Sequence, residues 1–147
     1  MHYVAGFLFS TGNRGEQSVL LVKKNRPSYL LGKRNGPGGG VERGESAVVA
    51  MVREMKEETD IDTSQRDWGH FLTMNTTRGD RIDFFVARYF KQMGKIRQMT
   101  DEEVEWIPLN ALESNNVYQN VIWEIPMALR HLEPNKDYKS LTILENA

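Results

Sequence analysis

The chain has 147 residues, of which 39% are hydrophobic, and this length suits a single domain with one buried core. Its formal net charge is −1 with both signs interspersed, which argues against a nucleic acid polymer or a membrane surface as partner. The absence of cysteine excludes a disulfide framework, a thiolate zinc site and a cysteine nucleophile. No apolar run approaches the roughly 20 residues that span a bilayer, and the N-terminal segment lacks a basic signal-peptide region, so a cytoplasmic protein is expected.

The first half of the chain predicts a β-hairpin, a long loop and a helix. Residues 3–10 and 18–24 are short apolar runs separated by turn-forming residues, which is typical of a hairpin. Residues 25–40 carry two prolines and five glycines, so we expect a long ordered loop rather than a helix or a central strand. Loops of this length inside a compact domain are usually functional. Residues 46–59 have helical periodicity, with Ser46 as the apparent N-cap.

The second half of the chain predicts further strands and a second helix. In chain order these are a hairpin of residues 68–77 and 82–91 around Arg78-Gly79-Asp80, a strand at 103–109, a helix at 117–132 and a last strand at 138–144. Pro126 lies within the predicted helix and must either begin its main part or kink it. This order of elements favours an α/β fold in which helices pack on a mixed sheet.

The first predicted helix carries an acidic ridge near its C-terminal end. Glu54, Glu57 and Glu58 fall together on one side, bordered by the small side chains of Ala47 and Ala50. In an isolated helix, each neighbouring pair of like charges costs roughly 0.2–0.5 kcal/mol of stability. The unfavourable helix dipole adds roughly 0.3–1 kcal/mol per charge. A different side of the helix is assigned to the core, and its members are Val48, Met51, Val52, Met55 and Thr59.

The segment before the acidic ridge changes how the ridge is interpreted, because an acidic cluster alone is most often a solvated surface. Residues 37–40 (Pro-Gly-Gly-Gly) and Gly44 allow positive φ and let bare backbone approach a ligand closely. Carboxylates beside exposed carbonyls make an all-oxygen site, which suits Mg²⁺ with its retained waters and bound phosphates. The histidines His2, His70 and His131 lack zinc spacing, so structural or surface roles are expected for them.

The loop and the helix together resemble the Nudix box. From Gly39 the chain reads glycine, five residues, Glu45, seven residues, Arg53-Glu54-Met55-Lys56-Glu57-Glu58, one residue, and then Asp60-Ile61. The family motif is Gly-x5-Glu-x7-Arg-Glu-U-x-Glu-Glu-x-Gly-U, with U an aliphatic residue. Every position matches except the last glycine, with Met55 as an aliphatic residue. Asp60 replaces that glycine, which would be a left-handed helix C-cap, and aspartate tolerates this conformation better than most residues.

The resemblance implies a fold, a chemistry and a set of site residues. The fold is an α/β/α sandwich around a central mixed sheet, formed by residues 1–147 as a single domain. Family members hydrolyse a nucleoside diphosphate linked to another group, with Mg²⁺ or Mn²⁺ as the cofactor. The implied catalytic residues are Glu54, Glu57, Glu58, Arg53 and Glu45, where Arg53 orients the carboxylates, Glu45 holds Arg53, and one of the three acids serves as or orients the base. The implied metal ligands are the Gly39 carbonyl, Glu54, Glu57, Glu58 and a further acid, Glu102 or Glu103, with Glu103 taken as the candidate.

Residues outside the box resemble the substrate site of MutT-related hydrolases of oxidised purine nucleoside triphosphates. Residues 32–39 (Gly-Lys-Arg-Asn-Gly-Pro-Gly-Gly) match the segment Gly-x-Trp-Asn-Gly-x-Gly-Gly, except that arginine replaces the tryptophan. Asn35 corresponds to an asparagine that contacts the purine edge. Tyr118 and Asn120 resemble a base-binding stretch, and Lys24 a lysine on the phosphate side. Each has a structural alternative: a turn asparagine, residues of a core helix, and a solvated strand-end lysine.

The expected function is Mg²⁺-dependent hydrolysis of a nucleoside triphosphate to a monophosphate and pyrophosphate. A purine is the expected base, with an oxidised purine such as 8-oxo-dGTP included. One alternative is a hydrolase of ADP-ribose or of a nucleoside diphosphate sugar. An alternative of a different class is a non-catalytic Nudix-like module that senses a nucleotide, although such a module would lack box carboxylates that are all present here. The sequence leaves the choice between a monomer and a homodimer open.

Overall fold

The computed structural model describes residues 1–134 and 140–146. The predicted hairpins, the helix after the glycine-rich segment and the strand near residue 105 are all confirmed. No helix in the described ranges is long and apolar enough to cross a membrane. In chain order the elements are β1 (His2–Thr11), β2 (Gln17–Lys23), β3 (Arg34–Asn35), β4 (Gly38–Gly40), helix α1 (Ala47–Thr59), β5 (Gly69–Thr76), β6 (Arg81–Arg88), β7 (Val104–Pro108), helix α2 (Val121–Leu132) and β8 (Leu141–Glu145).

The strands of the described residues form one mixed sheet. Its main path runs β3-β2-β1-β6-β5-β8, while β4 pairs with β1 and β7 pairs with β2. The pairs β1–β6 and β5–β8 are parallel. The other pairs are antiparallel, and in the first hairpin Phe9 lies opposite Val19. The mixed sheet implied by the family resemblance is therefore confirmed.

Helices cover both faces of this sheet. Successive side chains of a strand point to opposite faces, so Phe7 joins one apolar cluster while Leu8 joins the other. Helix α2 packs on the cluster of Phe7, and helix α1 packs on the cluster of Leu8. The buried contributions are Val121, Ile125 and Ala128 from α2, and Ala50, Met51 and Met55 from α1. The arrangement is the expected α/β/α sandwich.

Helix α1 begins and ends where the sequence predicts. Ser46 caps its start by accepting a hydrogen bond from the Val49 N–H, and Asp60 ends it in the left-handed conformation with φ of 65°. The Asp60 carboxylate also pairs with Lys56 at 2.9 Å. The apolar stripe of this helix is wider than the face assigned to the core, because it also includes Ala50, which is fully buried one turn before Glu54.

The glycine-rich segment at residues 25–40 is not the plain loop that the sequence predicts. It contains a short 3-10 helix at Ser28–Leu30 and the strands β3 and β4, and β4 pairs with the central strand β1. A Cβ atom at Gly38 would lie 2.0 Å from the Val4 carbonyl oxygen, so only glycine fits there. A strand of three glycines has no apolar alternation, and sequence patterns therefore do not indicate it.

Two boundaries in the second half also differ from the prediction. Helix α2 begins at Val121 rather than at residue 117, because Val117 instead forms a β-bridge with Arg34. Pro126 lies inside this helix rather than at its start. Strand β8 begins at Leu141 and pairs with β5, and residues 138 and 139 of the predicted strand lie outside the described residues.

Candidate active site

Arg53 connects the acidic ridge of α1 to the loop that precedes the helix. Its guanidinium donates two hydrogen bonds of 2.8 and 2.9 Å to the Glu45 carboxylate. It also donates to Glu54 at 2.9 Å and to Glu57 at 3.2 Å. A fifth bond, of 2.9 Å, reaches the backbone carbonyl of Gly40. The planar fork of an arginine suits this geometry, so Arg53 sets the position of three carboxylates at once.

Glu45 is the fixed partner of Arg53. The hydrogen bonds from Arg53 are the main reason why the pKa of Glu45 falls to about 2, and the backbone N–H of Glu42 adds to this effect. The Glu45 side chain is therefore charged at neutral pH, and it ties the loop to the helix. This is the holding role that the sequence resemblance implies for it.

Glu54 lies directly against the glycine-rich strand β4. A Cβ atom at Gly39 would come within 2.4 Å of Glu54 Oε1, so a residue with any side chain would push the carboxylate away. The Glu54 side chain is 13% exposed, and Arg53 is its hydrogen-bond partner. Strand β4 therefore presents backbone beside a carboxylate, in the arrangement predicted for a cation site.

Among the acids of the ridge, Glu58 has the environment that most disfavours a charged carboxylate. Its pKa is raised to about 8, mainly by burial and also by nearby Glu54 and Glu102, while Lys24 and the Gly38 N–H oppose the shift. Burial and nearby negative charge both disfavour the charged form of a carboxylate, and a cation beside it would stabilise that form. Glu58 thus has the environment expected of a metal ligand.

Lys24 and Glu102 line the cleft near Glu58. The Lys24 ammonium lies 3.3 Å from Glu102 Oε1, and only 15% of the lysine side chain is exposed. The other carboxylate oxygen of Glu102 accepts a 2.6 Å hydrogen bond from the Asn25 N–H. Lys24 is therefore a member of the cleft wall and not a freely solvated strand-end residue.

Of the two acids before β7, Glu102 lies in the cleft and Glu103 lies outside it. Glu102 is 8% exposed and lines the cleft beside Glu58. Glu103 is exposed, and its backbone carbonyl accepts a hydrogen bond from the Lys23 N–H. The choice of Glu103 is therefore replaced by Glu102. Contacts with Lys24 and with the Asn25 N–H hold the Glu102 carboxylate in the cleft.

One cleft of about 1030 Å³ joins Glu58 and Glu102 to the residues chosen for base binding, whereas Glu54 and Glu57 are not among its lining residues. Gly39, Glu58, Glu102 and Lys24 line one end of it. Asn35, Tyr118 and Asn120 line the same cleft, although their segments are far apart in the chain. The volume is at the upper end of the range of about 300–1,000 Å³ that is usual for small-molecule sites. The structure thus brings all four predicted substrate-binding residues into one space.

The base-binding candidates have defined polar and aromatic surroundings. Asn35 Oδ1 accepts a 2.8 Å hydrogen bond from the Gly36 N–H, so this side chain keeps the turn role as well. Tyr118 faces Tyr29, with ring centroids 6.2 Å apart, and the Lys33 ammonium lies 6.0 Å from the Tyr118 ring. These rings supply an aromatic surface at the cleft edge, suited to a stacking base.

Two residues of this cleft were missed by the sequence prediction. Tyr29 is 64% exposed and stands at the cleft edge, and an aromatic residue in a polar glycine-rich segment was an available signal for it. Glu145 accepts a 3.2 Å hydrogen bond from Asn120 Nδ2. No sequence pattern indicates this contact, because it depends on the pairing of β8 with β5.

Two of the three histidines, which are far apart in the sequence, contact the same residue in the fold. His2 and His70 both contact the buried carboxylate of Asp83, at 2.7 and 3.1 Å. Thr73 and Arg81 complete this polar cluster on β1, β5 and β6. None of these five residues lines the acidic end of the cleft.

The donor set at the acidic end fits a hard divalent cation. It contains carboxylates and backbone carbonyls, with no thiolate or imidazole among the cleft residues, which is the oxygen chemistry that Mg²⁺ prefers. Within residues 1–134 and 140–146, no three acidic or histidine side chains already converge as a complete metal cage. Arg53 is hydrogen-bonded to Glu54 and Glu57, two of the candidate ligands.

A NUDIX domain family model matches residues 2–126 of this chain. Among solved structures, the NUDIX domain of Shewanella oneidensis NrtR with ADP ribose has a TM-score of 0.75 at 21% identity, with 90% of this chain and 88% of that chain covered. MutT from Aliivibrio salmonicida and Vibrio cholerae has a TM-score of 0.67 at 23% identity, with 87% and 94% covered. A MutT/nudix family protein from Enterococcus faecalis has a TM-score of 0.65 at 24% identity, and this chain covers only 43% of its length with 73% of its own. At these identities the structures establish likeness of fold alone.

The chain therefore belongs to the NUDIX domain family, since the family model spans most of its length. This membership defines a Nudix hydrolase that acts on the phosphoanhydride bonds of nucleotide substrates.

Proposed function

We propose that this protein hydrolyses a purine nucleoside triphosphate, oxidised purines such as 8-oxo-dGTP included, to the monophosphate and pyrophosphate, with Mg²⁺ as cofactor and Mn²⁺ as a substitute. The observation that carries the proposal is the single cleft that joins Glu58 and Glu102 to Asn35, Tyr118 and Asn120. A substrate that occupies both ends places its phosphates at the acids and its base at the amides.

At the acidic end, the chain would hold the cation with oxygen atoms only. The proposed ligands are the Gly39 carbonyl, Glu54, Glu57 and Glu58, with Glu102 in place of Glu103. A cation held there neutralises phosphate charge and lowers the pKa of a bound water. Arg53 and Glu45 would act as positioning residues, because Arg53 is held by Glu45 and donates to the carboxylates of Glu54 and Glu57.

The remaining cleft residues would bind and orient the nucleotide. Lys24 is a cation among three acids, so it is placed to neutralise phosphate oxygens once the substrate enters. Tyr118 and Tyr29 offer ring surface for stacking, and Asn35 and Asn120 offer amide groups for the base edge. Contacts to the base would hold the phosphates in position at the acidic end. In this way, binding energy from a part of the substrate that does not react would help to orient the part that does.

A second candidate substrate is ADP-ribose or a nucleoside diphosphate sugar. The observation that favours it is the fold likeness to the NrtR domain crystallised with ADP ribose. NrtR has also been crystallised with a 27mer DNA, as a chain of which this protein covers 61%. For the present chain, the expectation of no nucleic acid partner rests on the charge distribution alone and stays a prediction. A cytoplasmic location also stays a prediction, as do the two alternatives of a monomer and a homodimer.

The test is a nucleotide panel with product identification. Each of the purine and pyrimidine triphosphates, 8-oxo-dGTP, ADP-ribose and a nucleoside diphosphate sugar is incubated with the protein and Mg²⁺, and the products are separated by ion-exchange chromatography. We expect the highest kcat/KM for a purine triphosphate, with pyrophosphate as product. Preference for ADP-ribose would replace the first candidate by the second. Binding without hydrolysis of any nucleotide would indicate the non-catalytic module.

A further inference from the structure

The contact between Glu145 and Asn120 fixes the direction of an amide in the cleft. Asn120 Nδ2 lies 3.2 Å from Glu145 Oε1. A carboxylate accepts hydrogen bonds and has none to donate, so the NH₂ group of Asn120 must face Glu145. The carbonyl oxygen of the same amide is therefore turned away from Glu145.

That carbonyl oxygen is available to a ligand. Asn120 is 8% exposed and lines the cleft. Within the described part of the chain, Asn120 Oδ1 accepts no hydrogen bond. The buried polar atoms that lack a partner there include Arg34 Nε and Glu124 Oε1 but not Asn120 Oδ1, so Asn120 Oδ1 is not one of the buried atoms. An oxygen that is neither bonded nor buried is accessible, and for this side chain the accessible space is the cleft.

The second asparagine of the cleft has the opposite polarity. Asn35 uses its Oδ1 to accept from the Gly36 N–H, which leaves its NH₂ group as a donor. The cleft thus combines a donor at Asn35 with an acceptor at Asn120. A purine that carries an amino group fits this pair, because it offers both hydrogen-bond donors and ring or keto acceptors.

We propose that Glu145 is a positioning residue for specificity: it locks Asn120 as a hydrogen-bond acceptor, and the cleft thereby selects bases that present an amino donor. The proposal rests on the proposed function only in that the base, rather than another group, occupies this end of the cleft. Glu145 lies at the end of the last strand and belongs to no part of the Nudix box.

The consequence is measured with pairs of nucleotides that differ by one amino group. GTP and ITP differ only in the 2-amino group, and ATP and purine riboside triphosphate differ only in the 6-amino group. For the preferred base of the wild type, we expect kcat/KM to favour the amino member by about three- to tenfold, the usual worth of one hydrogen bond. The ratio within a pair cancels any effect of a variant on the phosphate end.

Three side chains at position 145 change the hydrogen-bond direction stepwise. Glutamate only accepts, the glutamine of Glu145→Gln accepts or donates, and the lysine of Glu145→Lys only donates. The amino preference should therefore fall from wild type to Glu145→Gln, and be lost or inverted in Glu145→Lys. The change should lie in KM, with kcat within about twofold, because the acids of α1 are untouched. Glu113→Lys, at an exposed glutamate outside the cleft, is the matched control and should keep the wild-type ratio.

A rescue variant separates positioning from a merely structural role. In Asn120→Asp with Glu145→Lys, the new aspartate accepts from the new lysine with one oxygen and presents the other to the cleft, so the amino preference should return. Equal ratios in the wild type and both single variants would overturn the proposal, as would a wild type that distinguishes neither pair.

Binding of the corresponding monophosphates, measured by calorimetry, tests the same ratios without hydrolysis. If the panel shows that triphosphates are not substrates, the proposed function fails while this readout still decides the role of Glu145. Monophosphate affinities that do not depend on the amino group in the wild type would refute the inference even if triphosphates are hydrolysed.

Discussion

Replacing Arg53 with lysine tests whether one guanidinium organises the acids of α1. Arg53 donates five hydrogen bonds, to Glu45, Glu54, Glu57 and the Gly40 carbonyl. A lysine keeps the positive charge but has one nitrogen and no planar fork. Arg53→Lys therefore isolates geometry from charge.

The size of the effect follows from which bonds are lost. A single ammonium cannot reach Glu45, Glu54 and Gly40 together, so at least the paired bond to Glu45 is broken. The side chains of Arg53 and Glu45 are 22% and 11% exposed. The contribution of their hydrogen bonds to stability should therefore lie between that of a surface ion pair and that of a buried one. We expect a loss of about 1–3 kcal/mol in the free energy of unfolding. Misplacement of the carboxylates should lower kcat by about 100-fold.

The assay combines urea denaturation in the presence of a chelator with steady-state kinetics in Mg²⁺. Arg130→Lys is the matched control, because Arg130 is 59% exposed and lies 3.7 Å from Glu133. That control should change stability by less than about 0.5 kcal/mol and leave kcat unchanged. An Arg53→Lys protein with wild-type stability and turnover would refute the claim that the guanidinium fork positions these acids.

Three further predictions concern single side chains. Glu57 is 56% exposed and paired with Arg53, so in Glu57→Gln the lost contact offsets the relieved repulsion; thermal melts in chelator should place its stability within about 0.5 kcal/mol of wild type, while turnover falls by orders of magnitude. A stable, fully active Glu57→Gln would remove this residue from the site. Burial, with a smaller contribution from the Glu145 charge, raises the pKa of Glu124 from 4.5 to about 8. The folded protein therefore keeps a proton that the unfolded chain has lost, and wild-type stability falls as pH rises between these values. Glu124→Gln lacks this loss, so urea denaturation should show its stability relative to wild type rising by about 2–4 kcal/mol from pH 4.5 to 8, and parallel pH profiles would contradict the assignment. Asn35→Ala and Tyr118→Ala should each reduce kcat/KM for the preferred purine by about 1–3 kcal/mol and flatten the preference among bases, whereas equal losses on all nucleotides would mark these residues as structural.

Local chemistry explains what the sequence predicted well. Ser46 has the residue type of an N-cap, and its hydroxyl accepts the expected bond from Val49. Asp60 takes the left-handed conformation of the motif glycine it replaces. The spacing of the box acids follows from the helical repeat, so their common side was set by geometry within one element.

Features that depend on long-range pairing were not predictable in the same way. Strand β4 consists of glycines and exists because β1 offers a pairing edge close to the backbone. The preference for Glu102 over Glu103 depends on the long-range contacts of Glu102 with Lys24 and the Asn25 N–H. Glu145 meets Asn120 only because β8 pairs with β5 across the sheet.

The central claim is that a divalent cation bound by the α1 carboxylates makes this protein a pyrophosphohydrolase. The most direct test is pyrophosphate release from purine triphosphates by chelator-treated protein, followed as Mg²⁺ is added back, with Glu58→Gln measured in parallel. Without metal we expect no pyrophosphate release. Mg²⁺ or Mn²⁺ should restore it, Zn²⁺ should restore it poorly, and Glu58→Gln should show little restoration with any of them. Pyrophosphate release that survives complete removal of metal, or that is unchanged in Glu58→Gln, would contradict a role for a cation at these carboxylates.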